Sequence, residues 1–207
     1  MNRIVLQIIS ALLIVPTLSQ ATDVKLAAQS NAERIAVGTC AGCHGASGVS
    51  TLPKFPVLAA QQATYLASQL KAFKSRTRGD PDALAFMWGI AASLDDAQIA
   101  GLAQYYASRR ARSGSGPNLD AGAVARGREI FENGIESQEV ASCSSCHGPK
   151  GEGKAEGPRL AGQHSQYFLA QMRSYQLGLR DAAAMHEIAI ALKPSNLSDL
   201  AAYVRSQ

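Results

Sequence analysis

The chain has 207 residues, 46% of them hydrophobic, and 20 basic against 16 acidic residues give a formal net charge of +4. So small a surplus of positive charge does not indicate a nucleic-acid-binding protein, and we predict no nucleic-acid partner. After residue 16 no stretch is long and apolar enough to cross a bilayer, which takes about 20 apolar residues. The sequence therefore does not predict a multi-span membrane protein.

The first residues have the pattern of an export signal. A short basic start is followed by the apolar run Ile4 to Val15, which Pro16 closes, and Ser19-Gln20-Ala21 offers small residues for cleavage. We predict a signal peptide over residues 1–21, cleaved near Ala21. The alternative is a retained membrane anchor, but the run is shorter than a spanning helix. In a bacterium the mature chain would be periplasmic, and a peripheral association with the membrane surface stays open.

All four cysteines lie in two Cys-x-x-Cys-His motifs. The residues are Cys40, Cys43 and His44 in the first motif and Cys143, Cys146 and His147 in the second. Each thiol pair can bond the vinyl groups of one haem, and the next histidine then becomes the proximal ligand of the iron. A zinc site, a redox dithiol or disulfides could also use the cysteines, but none of these needs a histidine after each pair. The motifs predict two covalently bound c-type haems.

The second half of the chain repeats the first. Pro-Val-Leu-Ala-Ala-Gln at residues 56–61 recurs as Pro-Arg-Leu-Ala-Gly-Gln at 158–163, so that Pro56 matches Pro158 at an offset of 102 residues. Further on, Met87 matches Met185 at an offset of 98, because a loop is four residues shorter. A small polar segment at 113–118 reads as a linker. We predict an N-terminal domain over 22–112 and a C-terminal domain over 119–207.

Apolar residues recur at helical spacing throughout both copies. We predict helices over 61–74, 95–108 and 123–133, and a last helix with Ser195 as its N-cap. No convincing strand pattern is present, so the predicted fold is all-α. Because each domain is small for a self-sufficient core, haem would supply missing apolar bulk, and its loss would unfold the domain around it.

Two methionines are the predicted sixth ligands of the irons. Met87 and Met185 match each other and precede the final helix of each copy, whereas Met172 matches Leu70 on an apolar helix face and reads as a core residue. Core packing is the alternative for the matched pair as well.

Two spare histidines are rival ligands. His186 stands beside Met185 but matches Trp88, and His164 matches Gln62 on a helix face that we expect to be wet. We expect His186 to be exposed or hydrogen-bonded. Trp88 would pack against the first haem or fill the core.

A proline follows each proximal histidine at a similar distance. The carbonyl of Pro56 could accept the second ring N–H of His44, and that of Pro158 could do the same for His147, which would orient each ring. The alternative is a turn proline with no such contact.

These motifs together resemble the dihaem cytochrome c4 family over nearly the whole mature chain. Each half also resembles a small class I cytochrome c, in which Gly-Pro-x-Leu-x-Gly carries the carbonyl that holds the histidine. Residues 157–162 match that pattern fully, while Phe55 and Ala60 replace both glycines in the first half. The resemblance implies two tandem all-α cytochrome domains, packed about a pseudo-twofold axis, that pass electrons toward terminal oxidases.

Histidine and methionine together would leave no open position on either iron, which indicates an electron carrier with redox protein partners rather than an enzyme. No catalytic grouping of side chains stands out elsewhere. Two alternatives remain: a dihaem subunit of a larger dehydrogenase, such as flavocytochrome c sulfide dehydrogenase, and a dihaem peroxidase or thiosulfate-oxidising enzyme with an exchangeable ligand.

Overall fold

The computed structural model describes residues 29–112, 114, 119–155 and 157–207. The predicted signal peptide and most of the predicted linker lie outside these ranges. Across the described residues the chain is helical and contains no strand; its β-type pairing is an isolated antiparallel bridge between Ile135 and Val140. The prediction of an all-α fold is confirmed.

The N-terminal half, residues 29–112, begins with a helix over 29–35 that runs into a π-helical segment, Ala36–Cys40. Its α-helices are α1 (Ala41–His44), α2 (Ala63–Lys74), α3 (Trp88–Ala92) and α4 (Asp96–Ala107), and a second π-helical segment, Ala83–Met87, leads into α3. A capping box starts α4, because the Asp95 carboxylate accepts from the Gln98 backbone and the Gln98 side chain accepts from the Asp95 backbone.

The C-terminal half, residues 119–207, repeats this order. Its helices are α5 (Ala121–Asn133), α6 (Ser144–His147), α7 (Ser165–Gln176), α8 (Ala183–Ala191) and α9 (Pro194–Ser206), with a 3₁₀ turn at Glu136–Gln138. The prediction of Ser195 as an N-cap is wrong, because α9 begins at Pro194 with Lys193 as its N-cap. Proline is favoured at this first position, where its missing N–H would have no helical partner.

The predicted helices over 61–74, 95–108 and 123–133 correspond to α2, α4 and α5, with ends that differ by no more than two residues. Each half has its own apolar core. In the C-terminal half α5, α7 and α9 enclose a cluster that contains Phe131, Met172 and Leu200. Met172 is therefore a core residue, as its match to Leu70 predicted.

The two halves join through matched hydrogen bonds. The Gln163 side chain accepts from the Val57 N–H at 2.9 Å and donates to the Val57 carbonyl at 3.0 Å. The Gln61 side chain does the same with the backbone of Arg159, at 2.9 Å in both directions. Because these residues match one another in the repeat, the contact has the symmetry of a pseudo-twofold axis.

Candidate haem sites

The first Cys-x-x-Cys-His motif is folded around a helical turn. Cys40 ends the first π-helical segment, while Cys43 and His44 lie in α1. The His44 ring is buried, and its Nδ1 lies 3.1 Å from the carbonyl oxygen of Pro56. A carbonyl can only accept, so Nδ1 donates and the other ring nitrogen, Nε2, keeps its lone pair for a metal.

The second motif repeats this arrangement. Helix α6 begins directly after Cys143 and contains Cys146 and His147. His147 is as buried as its counterpart, His44. Its Nδ1 lies 2.8 Å from the carbonyl oxygen of Pro158. The predicted contact between proline carbonyl and proximal histidine is therefore confirmed in both halves.

Burial holds both imidazoles in the neutral form. It lowers the pKa of His44 and of His147 below the ordinary value, although the hydrogen bond to each proline carbonyl acts in the opposite direction. A neutral imidazole with Nδ1 protonated is the form that coordinates iron through Nε2.

The two histidines have different neighbours at the position before the proline. In the C-terminal half a Cβ on Gly157 would lie 2.9 Å from His147 Nδ1 and 2.9 Å from the Cys146 carbonyl oxygen, so no side chain fits there. In the N-terminal half Phe55 occupies the matching position and packs edge-on against His44, with ring centroids 6.0 Å apart. The first half therefore keeps the Pro56 contact with a side chain at this position.

An apolar cavity, partly open to solvent, runs between the halves. Its wall includes both predicted proximal histidines and both predicted sixth ligands: His44, Met87, His147 and Met185. Met87 ends the second π-helical segment and Met185 lies in α8, and each is half-buried at the edge of an apolar cluster. The structure thus brings the predicted iron ligands of both halves to one continuous cavity.

The residues around the cavity suit a large apolar group that requires few hydrogen bonds. Tyr106 lines the cavity, and its buried hydroxyl has no hydrogen-bond partner among the described residues. An orphaned donor facing apolar space is the kind of group that a bound cofactor can satisfy. The mainly apolar lining fits haem in polarity.

The cysteines do not fit the alternatives of a zinc site or a redox dithiol. Burial raises the pKa of the Cys143 thiol to about 11 and also raises the pKa of Cys40, whereas redox cysteines need thiolates at neutral pH. The four cysteines form no disulfide with one another. Across residues 29–112, 114, 119–155 and 157–207, no group of three or more His, Cys, Asp or Glu side chains could hold a metal ion.

The rival ligands have other partners. His186 Nδ1 donates to the Tyr175 carbonyl at 2.7 Å, so the expectation that it is hydrogen-bonded is confirmed. The prediction that His164 lies on a wet face is wrong, since it is only 6% exposed. Its Nε2 lies 2.9 Å from the Ser50 carbonyl oxygen and its Nδ1 lies 3.1 Å from Arg112, because the start of α7 packs against the N-terminal half.

Trp88 is half-buried and packs, with Met87, at the edge of an apolar cluster, and its indole N–H donates to the Arg78 carbonyl at 2.8 Å. Sequence reasoning assigned no role to Gln61 and Gln163, although they match each other in the repeat. Their recurrence was a usable signal, since identical polar residues at matched positions of two copies can meet across the axis between them.

None of the helices in the described part of the chain is long and apolar enough to cross a membrane.

Comparisons with known proteins agree with this geometry. The chain matches the cytochrome c family twice, over residues 15–109 and 124–207. It is 37% identical to cytochrome c-552 of Acidithiobacillus ferridurans over 81% of this chain and 73% of the relative. It is 34% identical to cytochrome c4 of Pseudomonas aeruginosa over 80% of this chain and 82% of the relative. A thiosulfate dehydrogenase electron acceptor of Thiomonas intermedia is 30% identical over 82% of this chain and 78% of its own length.

A solved structure, cytochrome c4 of Acidithiobacillus ferrooxidans, superimposes with a TM-score of 0.76 at 34% identity and covers 81% of this chain and 98% of that one. The predicted fold of two tandem cytochrome domains is confirmed by this likeness.

Proposed function

Because the chain belongs to the cytochrome c family, in its dihaem cytochrome c4 branch, we propose that it is a periplasmic carrier that relays electrons from respiratory donors to a terminal oxidase or another acceptor. The observation that carries this proposal is the pairing, twice over, of a buried histidine and a methionine in the wall of one apolar cavity. Such a pair leaves no position on the iron for a substrate, which favours electron transfer over catalysis.

The chain carries two covalently bound c-type haems. We infer that Cys40 and Cys43 attach the first haem and that Cys143 and Cys146 attach the second. Bound in this way, each haem supplies an iron that alternates between the ferric and ferrous states.

The chain's own side chains would hold each iron in one coordination geometry. His44 and His147 are the inferred proximal ligands, each turned by its proline carbonyl so that Nε2 faces the cavity. Met87 and Met185 are the inferred sixth ligands. A thioether favours the ferrous state more than a second imidazole would, so both centres should have raised potentials.

The periplasmic location rests on the signal peptide predicted over residues 1–21 and on the chemistry of thioether attachment, which takes place outside the cytoplasm. N-terminal sequencing of the protein from a periplasmic extract would test it. We expect the mature chain to begin near Thr22, whereas a chain that keeps its first residues and sediments with membranes would favour an anchor.

A second candidate is the electron-accepting partner or subunit of a larger dehydrogenase. The observation in favour of this reading is the 30% identity to a thiosulfate dehydrogenase electron acceptor. Co-purification with a catalytic chain, whether flavin-bearing or a thiosulfate dehydrogenase, would decide for it.

The test of the carrier function is the spin state of the two irons in the purified holoprotein. We expect two haems per chain, both low-spin in the ferric state, with no rapid turnover of peroxide or thiosulfate by the protein alone. A high-spin ferric haem with rapid turnover would show an exchangeable ligand and would replace the carrier with an enzyme.

A further inference from the structure

Two arginines lie at the contact between the halves, and they match each other in the repeat. Arg78 is 5% exposed and Arg180 is 6% exposed. Each reaches across the contact to a tyrosine and a glutamine of the other half. Arg78 donates to Tyr167 at 3.2 Å and to Gln171 at 2.7 Å, and Arg180 donates to Tyr65 and, at 3.0 Å, to Gln69.

The two arginines differ in their ionic partners. Arg78 donates from Nε to the Asp80 carboxylate at 2.7 Å, and Asp80 is itself 2% exposed. Two residues after Arg180 the chain has Ala182, and Asp181 between them is exposed. Among the described residues, Arg180 forms no ion pair with any carboxylate.

The cluster of Arg78, Arg180 and Asp80 therefore holds two buried guanidinium groups against one buried carboxylate. A guanidinium cannot lose its proton in a protein, so one positive charge has no counter-charge. The tyrosine and glutamine oxygens satisfy N–H groups but do not neutralise it. An unpaired buried charge is strongly destabilising, so an anion is the expected complement of this cluster.

The cluster faces the place where such an anion would arrive. All three residues line the same apolar cavity as the four inferred iron ligands. The other charged residues of its wall do not supply the anion: Lys54 and Asp82 pair with each other at 3.0 Å, and Arg159 adds a further positive charge. Haem carries propionate carboxylates, and a carboxylate can accept two parallel hydrogen bonds from one guanidinium.

We propose that Arg180 binds a haem propionate, whereas Arg78 is already paired with Asp80. The two buried arginines then act unequally on the two irons. The proposal rests on the dihaem function above. It names Arg180 as a charge partner for the cofactor and Asp80 as the residue that makes the two pseudo-symmetric centres unequal. A buried cation near a haem favours the ferrous state, which carries one positive charge less than the ferric state, whereas a buried carboxylate favours the ferric state.

The test is an anaerobic redox titration of holoprotein variants with both haems resolved. We expect Arg180→Gln to shift the ferric/ferrous equilibrium of at least one centre about tenfold toward ferric, which lowers that potential by about 59 mV. Arg180→Lys keeps the charge and should shift it much less. Arg173→Gln, which removes an exposed arginine of α7, is the matched control and should change neither centre more than about twofold, as expected for a screened surface charge.

The variant Asp80→Asn should change a redox potential in the opposite direction. It also tests the proposal if Arg180→Gln does not fold. Removing this carboxylate should shift the equilibrium of at least one centre toward ferrous and raise its potential. Equal potentials in Arg180→Gln and Arg173→Gln, or an unchanged Asp80→Asn protein, would overturn the proposal. Since the haem content and spin state of the wild type are measured separately, failure of this inference is distinguishable from failure of the carrier function.

Discussion

The two halves hold their proximal histidines by the same proline contact but surround them differently. The C-terminal half has Gly157 and Gly162 around Pro158, whereas the N-terminal half has Phe55 and Ala60 around Pro56. Gly162 has φ +75° and Ala60 keeps the same left-handed backbone at φ +57°. The repeat therefore preserves this left-handed turn and the proline carbonyl, while glycine is needed only where a neighbour leaves no room for a side chain.

The largest expected effect comes from removing haem attachment in one half at a time. In the double variant Cys143→Ala with Cys146→Ala, the C-terminal half should lose its haem and unfold, because haem supplies part of that core. We expect one haem per chain and a loss of about half of the helical circular dichroism signal. The matched double variant at Cys40 and Cys43 should show the same loss in the other half. Two variants that keep full helicity would contradict the role of haem in folding.

A side chain at residue 157 should be the next most damaging change. Gly157→Val places carbon atoms against His147 Nδ1 and the Cys146 carbonyl, and we expect the C-terminal half to lose about 2–4 kcal/mol of unfolding free energy. Denaturant titration of the holoprotein measures this loss. Phe55→Val is the matched control, since the N-terminal backbone already admits a side chain and should lose less. A larger loss of unfolding free energy in Phe55→Val than in Gly157→Val would contradict the difference in free space between the two loops.

The buried His164 predicts a pH dependence that its counterpart Gln62 cannot show. Burial lowers the pKa of His164, and Arg112 and Arg205 lower it further, so the unfolded chain binds this proton more readily. Stability should therefore fall as the pH drops below about 6.5, the ordinary histidine value. The measurement is the unfolding free energy of wild type and His164→Gln between pH 7 and 5. The variant should lose less on acidification, and equal slopes would count against this assignment.

The smallest expected effect is at Ala60 and Gly162, which match in the repeat and share a left-handed backbone conformation. An alanine in that conformation costs about 1 kcal/mol relative to glycine, so Ala60→Gly should stabilise the N-terminal half by up to that amount. Gly162→Ala should destabilise the C-terminal half by at least as much, since its Cβ would lie 3.0 Å from the Arg112 carbonyl oxygen. Thermal unfolding followed by circular dichroism measures both shifts, and two shifts of the same sign would contradict the comparison.

The parts of the site that the sequence predicted are those encoded locally or by the repeat. The histidines of the two Cys-x-x-Cys-His motifs, the paired methionines and the prolines after the histidines follow a spacing that the repeat preserves, so their places at the cavity could be predicted. His164 could not be placed, because its partner Ser50 lies 114 residues away and belongs to the other half. The buried charge of Arg180 escaped prediction for the same reason.

The redox potentials of the two irons test the central claim of two closed, methionine-ligated centres most directly. A redox titration should compare the wild type with Met87→His and Met185→His. Since a second imidazole favours ferrous iron less than a thioether does, each variant should lower the potential of one centre only, by on the order of 0.1 V within the roughly 0.8 V that axial ligands span. If neither substitution moves either potential, Met87 and Met185 are core residues and the two centres are ligated in some other way.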